Sequence, residues 1–304
     1  MKLNLLSWSH LILSLCVAPL LIGIINRTKA IMAGRRGQPI LQTYSDLLKL
    51  WRKGAVYSRT TSWVFRAGPV IGLAVVVVGM LLVPLGGSPA LLAFDGDLIV
   101  LAYALGLGRF FTVLAALDTG SSFEGMGASR EVTFAMLVEP TLFVGLFALS
   151  RLSHTLSLSG LLYSSGVSGW SIGAPALVAG ALFVLYLAEN ARIPIDDPAT
   201  HLELTMVHEV MVLDHGGPDL GLVLYGGALK LWLLGALIVG VLSPDLTGTP
   251  VWMREGVAVL GMLGLAIAVG IVESFMARLR LLKVPQLLVG AGALAMLATI
   301  LVLR

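Results

Sequence analysis

The chain has 304 residues, of which 57% are apolar and 12% charged, and its formal net charge is +3. Soluble domains average about 25% charged residues, so this composition excludes a soluble globular protein and indicates an all-α membrane protein built as one polytopic domain, 1–304. The single cysteine, Cys16, excludes a disulfide framework, an iron–sulfur cluster or a thiolate metal centre carried by this chain alone.

Eight apolar runs reach the length of about 20 residues that a transmembrane helix needs. They cover approximately 3–25, 67–87, 98–117, 132–150, 171–189, 220–242, 256–276 and 286–303. Fourteen lysines and arginines lie in the alternate loops 26–66, 118–131, 190–218 and 277–285, whereas four lie on the opposite side. Since basic loops stay in the cytoplasm, we predict that these four loops are cytoplasmic and that both termini face outward.

The first cytoplasmic loop contains its own helical pattern. Tyr44, Leu47, Leu48 and Trp51 recur at the spacing of one helix face, which predicts an amphipathic helix lying in the membrane interface. Two interpretations remain open for this region: a basic segment that binds lipid headgroups, or a docking site for a partner. The candidate docking residues are Arg35, Arg36, Gln42, Asp46 and Lys49.

Five charged side chains, of the types Asp, Glu, Lys and Arg, fall inside the predicted spans. An ionisable group at membrane depth costs several kcal/mol unless it is paired or hydrated, so each is a functional candidate. We predict that they form a polar file for protons through the bundle. Alternative interpretations are that Glu273 only pairs with Arg278, that Lys230 reaches the interface, and that Arg109 is only a structural partner. The five candidates are Arg109, Glu139, Glu189, Lys230 and Glu273.

The third cytoplasmic loop is the most acidic stretch of the chain. Its prolines at 194 and 198 argue against a helix before residue 199, and the run 200–213 is predicted to be helical. His201, His208 and His215 are seven residues apart, which is about 10.5 Å per step on a helix and too far for one metal ion. We therefore predict no metal site and no catalytic residue here. The candidate coupling or docking residues are Arg192, Asp196, Asp197, Glu203, His208, Glu209 and Asp214, with Asp118, Glu124 and Glu131 of the loop 118–131 on the same side.

The stretch from Glu189 to Asp196, Glu-Asn-Ala-Arg-Ile-Pro-Ile-Asp, resembles the Glu-Thr-Asn-Arg-x-Pro-Phe-Asp element of the complex I subunit 1 family. The early Gly-Arg-Arg-Gly-Gln-Pro segment at 34–39 and the sequence from Gly120 to Glu139 match the same family in order and spacing. The run 192–209 is more similar to one branch, the membrane subunits of energy-converting nickel–iron hydrogenases, such as formate hydrogenlyase subunit 4 and hydrogenase-4 component C.

This resemblance implies a non-catalytic membrane subunit of an oxidoreductase complex in a prokaryotic cytoplasmic (inner) membrane. It implies a peripheral arm, with a small iron–sulfur subunit and a nickel–iron large subunit, that docks on the cytoplasmic loops, and antiporter-like membrane subunits beside the carboxylate file. Cofactors are expected in those partners and none in this chain, and no nucleic acid is expected. Three alternatives remain: a quinone-binding subunit of a complex I-type dehydrogenase, a stand-alone ion transporter, and an anchor without proton transfer.

Overall fold

Long apolar runs fold as helices because, inside a bilayer, every backbone N–H and C=O must be satisfied within its own segment. The computed structural model describes residues 5–163, 173–196, 206–243 and 248–304, and for residues 5–7, 9 and 163 the backbone alone. The α-helices in these ranges are α1 (Leu5–Met32), α2 (Gln42–Trp51), α3 (Trp63–Leu82), α4 (Asp97–Asp118), α5 (Ser122–Ser153), α6 (Leu158–Tyr163), α7 (Gly173–Glu189), α8 (Gly217–Leu242), α9 (Val251–Phe275) and α10 (Val284–Leu303).

Each of the eight predicted spans overlaps one helix in the described part of the chain, so the prediction of an all-α membrane protein is confirmed. In the described part of the chain, seven helices are long and apolar enough to cross a membrane. The eighth, α7, has 17 residues and begins directly after 164–172, which lie outside the described residues. Helix α8 is the central element: it packs against α1, α2, α3, α6, α7 and α9, and its Trp232 is fully buried.

The predicted amphipathic helix is α2, and its apolar face is turned toward the spans. Leu47 is buried, and the ring of Trp51 meets Tyr225 of α8 edge to face at 6.0 Å between centroids. The Tyr44 hydroxyl donates to the carbonyl of Cys16 in α1 at 2.5 Å. These contacts tie the interfacial helix to two transmembrane helices.

The four predicted cytoplasmic segments meet at one end of the bundle. The backbone N–H of Ser62 donates to Asp118, and the N–H of Leu279 donates to the carbonyl of Pro194. At Gly217, φ is +55°, and a Cβ there would lie 2.5 Å from the Gly54 carbonyl oxygen, so the start of α8 presses directly on the chain that follows α2. At the opposite end of the bundle, the buried Asp97 at the start of α4 accepts a hydrogen bond from the backbone N–H of Leu158, the first residue of α6, at 2.6 Å.

Two predictions about local structure were wrong. The stretch 118–131, predicted as a loop, is mostly helical, since α5 begins at Ser122. Its Gly127 lets the carbonyl oxygen of Val207 approach within 3.0 Å of the position that a Cβ would take. The helix predicted over 200–213 is absent from its described part, 206–213, which contains only a 3-10 turn at Val210–Val212. There the backbone N–H groups of Val207 and His208 bond to the Asp196 carboxylate instead of to helical carbonyls.

Candidate functional site

The guanidinium of Arg109, in the middle of α4, bonds three carboxylates from two other helices. Its Nε donates to Glu131 Oε1 at 3.0 Å, and its two terminal nitrogens donate to Glu139 and Glu189. Glu131 and Glu139 are two helical turns apart on α5, and Glu189 is the last residue of α7. The planar fork of five N–H donors explains why an arginine can serve three acceptors at once.

Two more side chains extend this group. Lys230 of α8 forms an ion pair with Glu189 at 2.5 Å, and His208 Nδ1 lies 3.4 Å from Glu131 Oε2. We call Arg109, Glu131, Glu139, Glu189 and Lys230 the Arg109 cluster. Its two cations and three carboxylates leave a formal charge of −1. Neighbouring carboxylates disfavour one another's ionisation, and a surplus carboxylate is the arrangement that allows one of them to be neutralised by a proton.

Glu139 differs from the other members in its exposure. Its side chain is 47% exposed, whereas those of Arg109, Glu131 and Glu189 are 10% exposed or less. Its position before Pro140 in the middle of α5 places this exposed carboxylate at membrane depth, on the side of the bundle. A cavity of about 20 Å³ lies behind it, lined among others by Gly106, Arg109 and Tyr186.

Glu273 belongs to a second, separate group of charges. It pairs with Lys29 of α1 at 2.8 Å and with Arg192 at 3.5 Å, and its own side chain is completely buried. We call Lys29, Arg192 and Glu273 the Glu273 cluster; its formal charge is +1. The alternative pairing of Glu273 with Arg278 was wrong, since Arg278 bonds Asp196 at 2.8 Å. The single polar file predicted from sequence is therefore two clusters.

Asp196 organises the described part of the acidic loop. One carboxylate oxygen accepts from the backbone N–H of Val207 at 3.1 Å and of His208 at 3.2 Å, and the other accepts from Arg278. This fixes the backbone of His208 so that its imidazole reaches Glu131 of the Arg109 cluster. The loop is thereby connected to the buried charges through one residue.

A cavity of about 470 Å³ opens between α3, α4 and α8. Its walls are mainly small and apolar, for example Gly72, Val76 and Leu231. The polar part of its lining has both signs of charge: Arg109, Glu131, Glu189, Arg192, Asp196, Glu209 and Lys230, with His208 and His215. Ligand pockets typically have about 300–1,000 Å³, apolar walls and a few polar groups. The cavity has the size and the chemistry for an amphipathic molecule.

The remaining predicted residues have local partners or lie at the surface. Asp118 accepts from Ser62, and Glu124 Oε1 accepts from the N–H of Asp214 at 3.1 Å. On α2, Gln42 donates to Asp46 at 2.8 Å and Lys49 lies 3.4 Å from it. Arg35 and Arg36 are exposed, and Glu209 lines the large cavity; Asp197, Glu203 and His201 lie outside the described residues. In the described ranges, no three His, Cys, Asp or Glu side chains are arranged to hold a metal ion.

His215 is buried at the end of this loop and stacks on the ring of Phe65, with 3.9 Å between centroids. Burial lowers the pKa of His215 below its ordinary value, because the charged imidazolium loses its hydration, while the nearby carboxylates of Asp219 and Asp214 raise the pKa in part. The imidazole is therefore kept neutral and acts as a packing group between loop and helix.

Three residues in or beside these clusters were not recognised in their roles from the sequence. Glu131 was assigned to the docking loop, although its eight-residue spacing from Glu139 would have put both on one helix face. Lys29 counted only toward the positive charge of the first loop. Tyr186 received no role, although it precedes Glu189 by three residues and so shares its face of α7.

Comparison with known proteins gives one consistent family. The NADH dehydrogenase family matches residues 6–303. Formate hydrogenlyase subunit 4 of Escherichia coli (strain K12) is 31% identical over 292 residues, 93% of this chain and 93% of that protein. Hydrogenase-4 component C of the same organism is 33% identical over 236 residues, 77% of this chain and 73% of that protein. A chain of the membrane-bound sulfane sulfur reductase, an archaeal respiratory membrane complex, has the same fold, with a TM-score of 0.84, 20% identity, and coverage of 99% of this chain and 100% of that chain.

Proposed function

The chain belongs to the NADH dehydrogenase family, and on this basis we propose that it is the membrane-anchoring and proton-coupling subunit of a multisubunit redox complex of the nickel–iron hydrogenase type. The two relatives from Escherichia coli, which are hydrogenase or hydrogenlyase subunits, support this branch. The chain is a non-catalytic part of that oxidoreductase. Its one cysteine does not fit an iron–sulfur or nickel–iron centre, so these cofactors belong to partner subunits.

The observation that carries the proposal is the Arg109 cluster with its exposed carboxylate. A group of charges with a formal charge of −1, buried among spans, can hold one exchangeable proton. Glu139 opens this group to the side of the bundle, with 47% of its side chain exposed. A carboxylate facing hydrocarbon costs several kcal/mol, so this side of α5 fits a neighbouring membrane subunit of antiporter-like type, which would cover Glu139 and continue the proton path.

The peripheral arm, with its iron–sulfur and nickel–iron subunits, docks on a different surface from the side of α5 that carries Glu139. This surface is the end of the bundle formed by the loops 26–66, 118–131, 190–218 and 277–285. The excess of basic residues in these loops supports a cytoplasmic orientation of this end, with both termini outside, in a prokaryotic cytoplasmic membrane. Exposed Arg35 and Arg36, with Asp46 and Lys49 on α2, supply charged groups for an arm or for lipid headgroups.

The connection between arm and proton path runs through the loop. A charge that arrives in a docked arm acts on His208, whose imidazole lies 3.4 Å from Glu131. A proton bound by His208 strengthens that pair, and a proton passed to Glu131 releases Arg109 toward Glu139 and Glu189. In this way a change of charge at the membrane surface redistributes one proton within the Arg109 cluster.

The test is to purify the protein with its native partners in mild detergent, analyse the metals, and measure hydrogen evolution from a reduced viologen dye. We expect nickel and hydrogen evolution. The complex is then placed in liposomes, where Glu139→Gln should abolish proton transport while the complex still assembles. Normal proton transport by the Glu139→Gln complex contradicts the role of the carboxylates, and a protein that purifies without partners favours a stand-alone ion transporter.

The large cavity favours a second candidate function, that of a quinone-binding subunit in a complex I-type dehydrogenase. Its volume of about 470 Å³, its mainly apolar walls and the polar side chains among its lining suit a quinone ring with an apolar tail. Quinone-dependent oxidation of a soluble donor, without nickel in the purified complex, would support this candidate. Substituting Gly72 by Phe, which narrows the apolar part of the cavity, should then lower that quinone-dependent activity.

A further inference from the structure

Tyr186 lies between the two charge clusters. It is 1% exposed, and among the described residues its hydroxyl has no hydrogen-bond partner. The hydroxyl is within electrostatic range of Arg192 and Glu273 of the Glu273 cluster. The same side chain lines the cavity of about 20 Å³ that is also lined by Arg109, Glu139 and Glu189. One buried tyrosine side chain thus adjoins members of both clusters.

The cavity beside Tyr186 has room for one water molecule. A water needs roughly 10–15 Å³ and two to four polar partners, and this cavity has about 20 Å³, with Arg109, Glu139, Tyr186 and Glu189 as its polar lining. A hydroxyl buried without a partner is unfavourable in proteins. A water in this place would be the partner that the Tyr186 hydroxyl lacks, and it would lie beside the carboxylates of Glu139 and Glu189.

The charges of the two clusters favour movement of a proton in one direction. The Glu273 cluster has a formal charge of +1 and the Arg109 cluster a formal charge of −1. Transfer of one proton from the first to the second leaves both neutral. Lys29 is 28% exposed, so the positive cluster is in contact with the cytoplasmic end of the bundle and can take up the next proton from there.

We propose that Lys29, Glu273 and Tyr186 form a proton uptake route from the cytoplasmic surface to Glu139 and Glu189, with the Tyr186 hydroxyl as its relay. The proposal rests on the proposed function, since it supplies protons to the same Arg109 cluster. In each transfer Lys29 gives one proton to Glu273. The Tyr186 oxygen then accepts that proton while its own proton passes through the water to a carboxylate of the Arg109 cluster. Tyr186 ends with one proton, as it began, and Lys29 is reprotonated from the cytoplasm.

This route is separate from the contact of His208 with Glu131. His208 reaches the cluster from the acidic loop, through a different cavity of about 20 Å³ that is lined by Arg109, Glu131, Asp196 and His208. Tyr186 does not line that cavity. Loss of the Tyr186 hydroxyl should therefore affect proton supply without removing the charge contact through which the loop acts.

The test uses the whole complex in liposomes, driven by a reduced viologen dye, with a pH-sensitive dye reporting protons transported per hydrogen formed. Removing a positioned proton-transfer group typically costs about 10²–10⁴-fold, and we expect Tyr186→Phe to lower the proton yield at least about tenfold. The matched control is Tyr225→Phe, which removes a hydroxyl from another spanning helix, where it donates to the carbonyl of Leu15. The control should retain the wild-type proton yield.

A second variant keeps the hydroxyl and closes the cavity. A Cβ at Gly106 would point at Glu139 Oε1 from 3.6 Å, so Gly106→Val should displace the water and lower the proton yield even where Tyr186→Phe fails to assemble. Equal proton yields for Tyr186→Phe, Gly106→Val and Tyr225→Phe overturn the route while Glu139→Gln still abolishes transport. A wild-type complex that evolves hydrogen and transports no protons overturns the proposed function itself, and the route with it.

Discussion

The Arg109 cluster and the Glu273 cluster bury carboxylates against basic side chains in similar ways, and they differ in the charge left over. In the first, one arginine and one lysine face three carboxylates; in the second, a lysine and an arginine face one carboxylate. The first lies among four spans, with a side chain open to the side of the bundle, and the second lies near the end where the loops meet.

This difference decides what each cluster tolerates. A buried carboxylate in surplus can be neutralised at little cost, because removing its charge relieves repulsion, whereas a carboxylate shared by two cations is needed for both of them. The negative cluster is therefore suited to gaining a proton and the positive cluster to losing one. The predictions below test this contrast, beginning with the change that should disturb the protein most.

Arg109→Ala should have the largest effect. It removes the partner of Glu131, Glu139 and Glu189 together and leaves three carboxylates with Lys230 alone. Breaking a buried ion pair by removing one partner costs about 3–5 kcal/mol. We expect a correspondingly lower free energy of unfolding, measured by thermal unfolding in detergent, and little assembled complex.

The control for that prediction is Arg109→Lys, which keeps the charge and loses the fork of donors. It should regain part of the stability, since an ammonium compensates the charge but cannot reach three carboxylates on two helices. If Arg109→Ala unfolds at the same temperature as the wild type, the contacts of Arg109 with the three carboxylates do not stabilise the protein, and the prediction is wrong.

Glu139→Gln and Glu273→Gln are the same chemical change and should have opposite consequences. The first brings the Arg109 cluster to a formal charge of 0, and its half-exposed side chain adapts easily, so stability should be unchanged or slightly higher. The second brings the Glu273 cluster to +2 around a completely buried position. We expect Glu273→Gln to be less stable than Glu139→Gln by about 2–3 kcal/mol.

Thermal unfolding of the two variants side by side measures that difference directly. The double variant Lys29→Met with Glu273→Gln removes one cation along with the carboxylate and should recover part of the loss. Equal unfolding temperatures for Glu139→Gln and Glu273→Gln would show that the surplus charge of each cluster does not govern its stability.

Asp196 holds the loop beside the Arg109 cluster, and its substitutions should have smaller effects. Asp196→Ala leaves the N–H groups of Val207 and His208 and the guanidinium of Arg278 without this acceptor. An unsatisfied buried group costs about 1–3 kcal/mol, so we expect a loss in that range. Asp196→Asn retains an oxygen for the backbone and should lose about 1 kcal/mol, the value of a single hydrogen bond.

Limited proteolysis reports the local opening of the loop in the Asp196 variants, which thermal unfolding does not measure. Limited proteolysis should cut Asp196→Ala within 197–215 faster than Asp196→Asn, because only the alanine variant frees the backbone of His208. Equal cleavage of the two variants would mean that Arg278, rather than the two N–H groups, holds the loop.

The positions of the spans followed from the sequence because hydropathy and helix length are local properties. The pairing of charges did not, since Arg109 contacts residues 22, 30 and 80 positions away on other helices. Periodicity identifies a polar face and does not tell which helices are neighbours. Glu273 was placed in the same file as Arg109 for this reason, although it lies against α1.

The acidic loop shows a second limit of sequence reasoning. The pattern of apolar and acidic residues in 200–213 is compatible with a helix. The helix was predicted from this local pattern alone. In the described part, 206–213, the Asp196 carboxylate accepts hydrogen bonds from the backbone N–H groups of Val207 and His208. Gly127, which has no side chain, lets the loop pack closely against α5. Tertiary contacts of this kind override propensity and cannot be recognised from spacing.

His215 should give the smallest and most specific effect, because it titrates outside both clusters. Burial lowers the pKa of His215 below its ordinary value of 6.5. As the pH falls through this ordinary value, the unfolded chain binds a proton that the folded protein binds only at lower pH. The stability contributed by neutral His215 is thus complete above pH 6.5 and decreases below it.

The measurement is the unfolding temperature of the purified protein between pH 8 and pH 5, where one proton-linked group changes the free energy of unfolding by at most about 1.4 kcal/mol per pH unit. His215→Gln should remove part of the slope below pH 6.5. The exposed His154, at the far end of α5, provides the matched control as His154→Asn. A slope that is unchanged in His215→Gln would contradict the assignment of this pH dependence to His215.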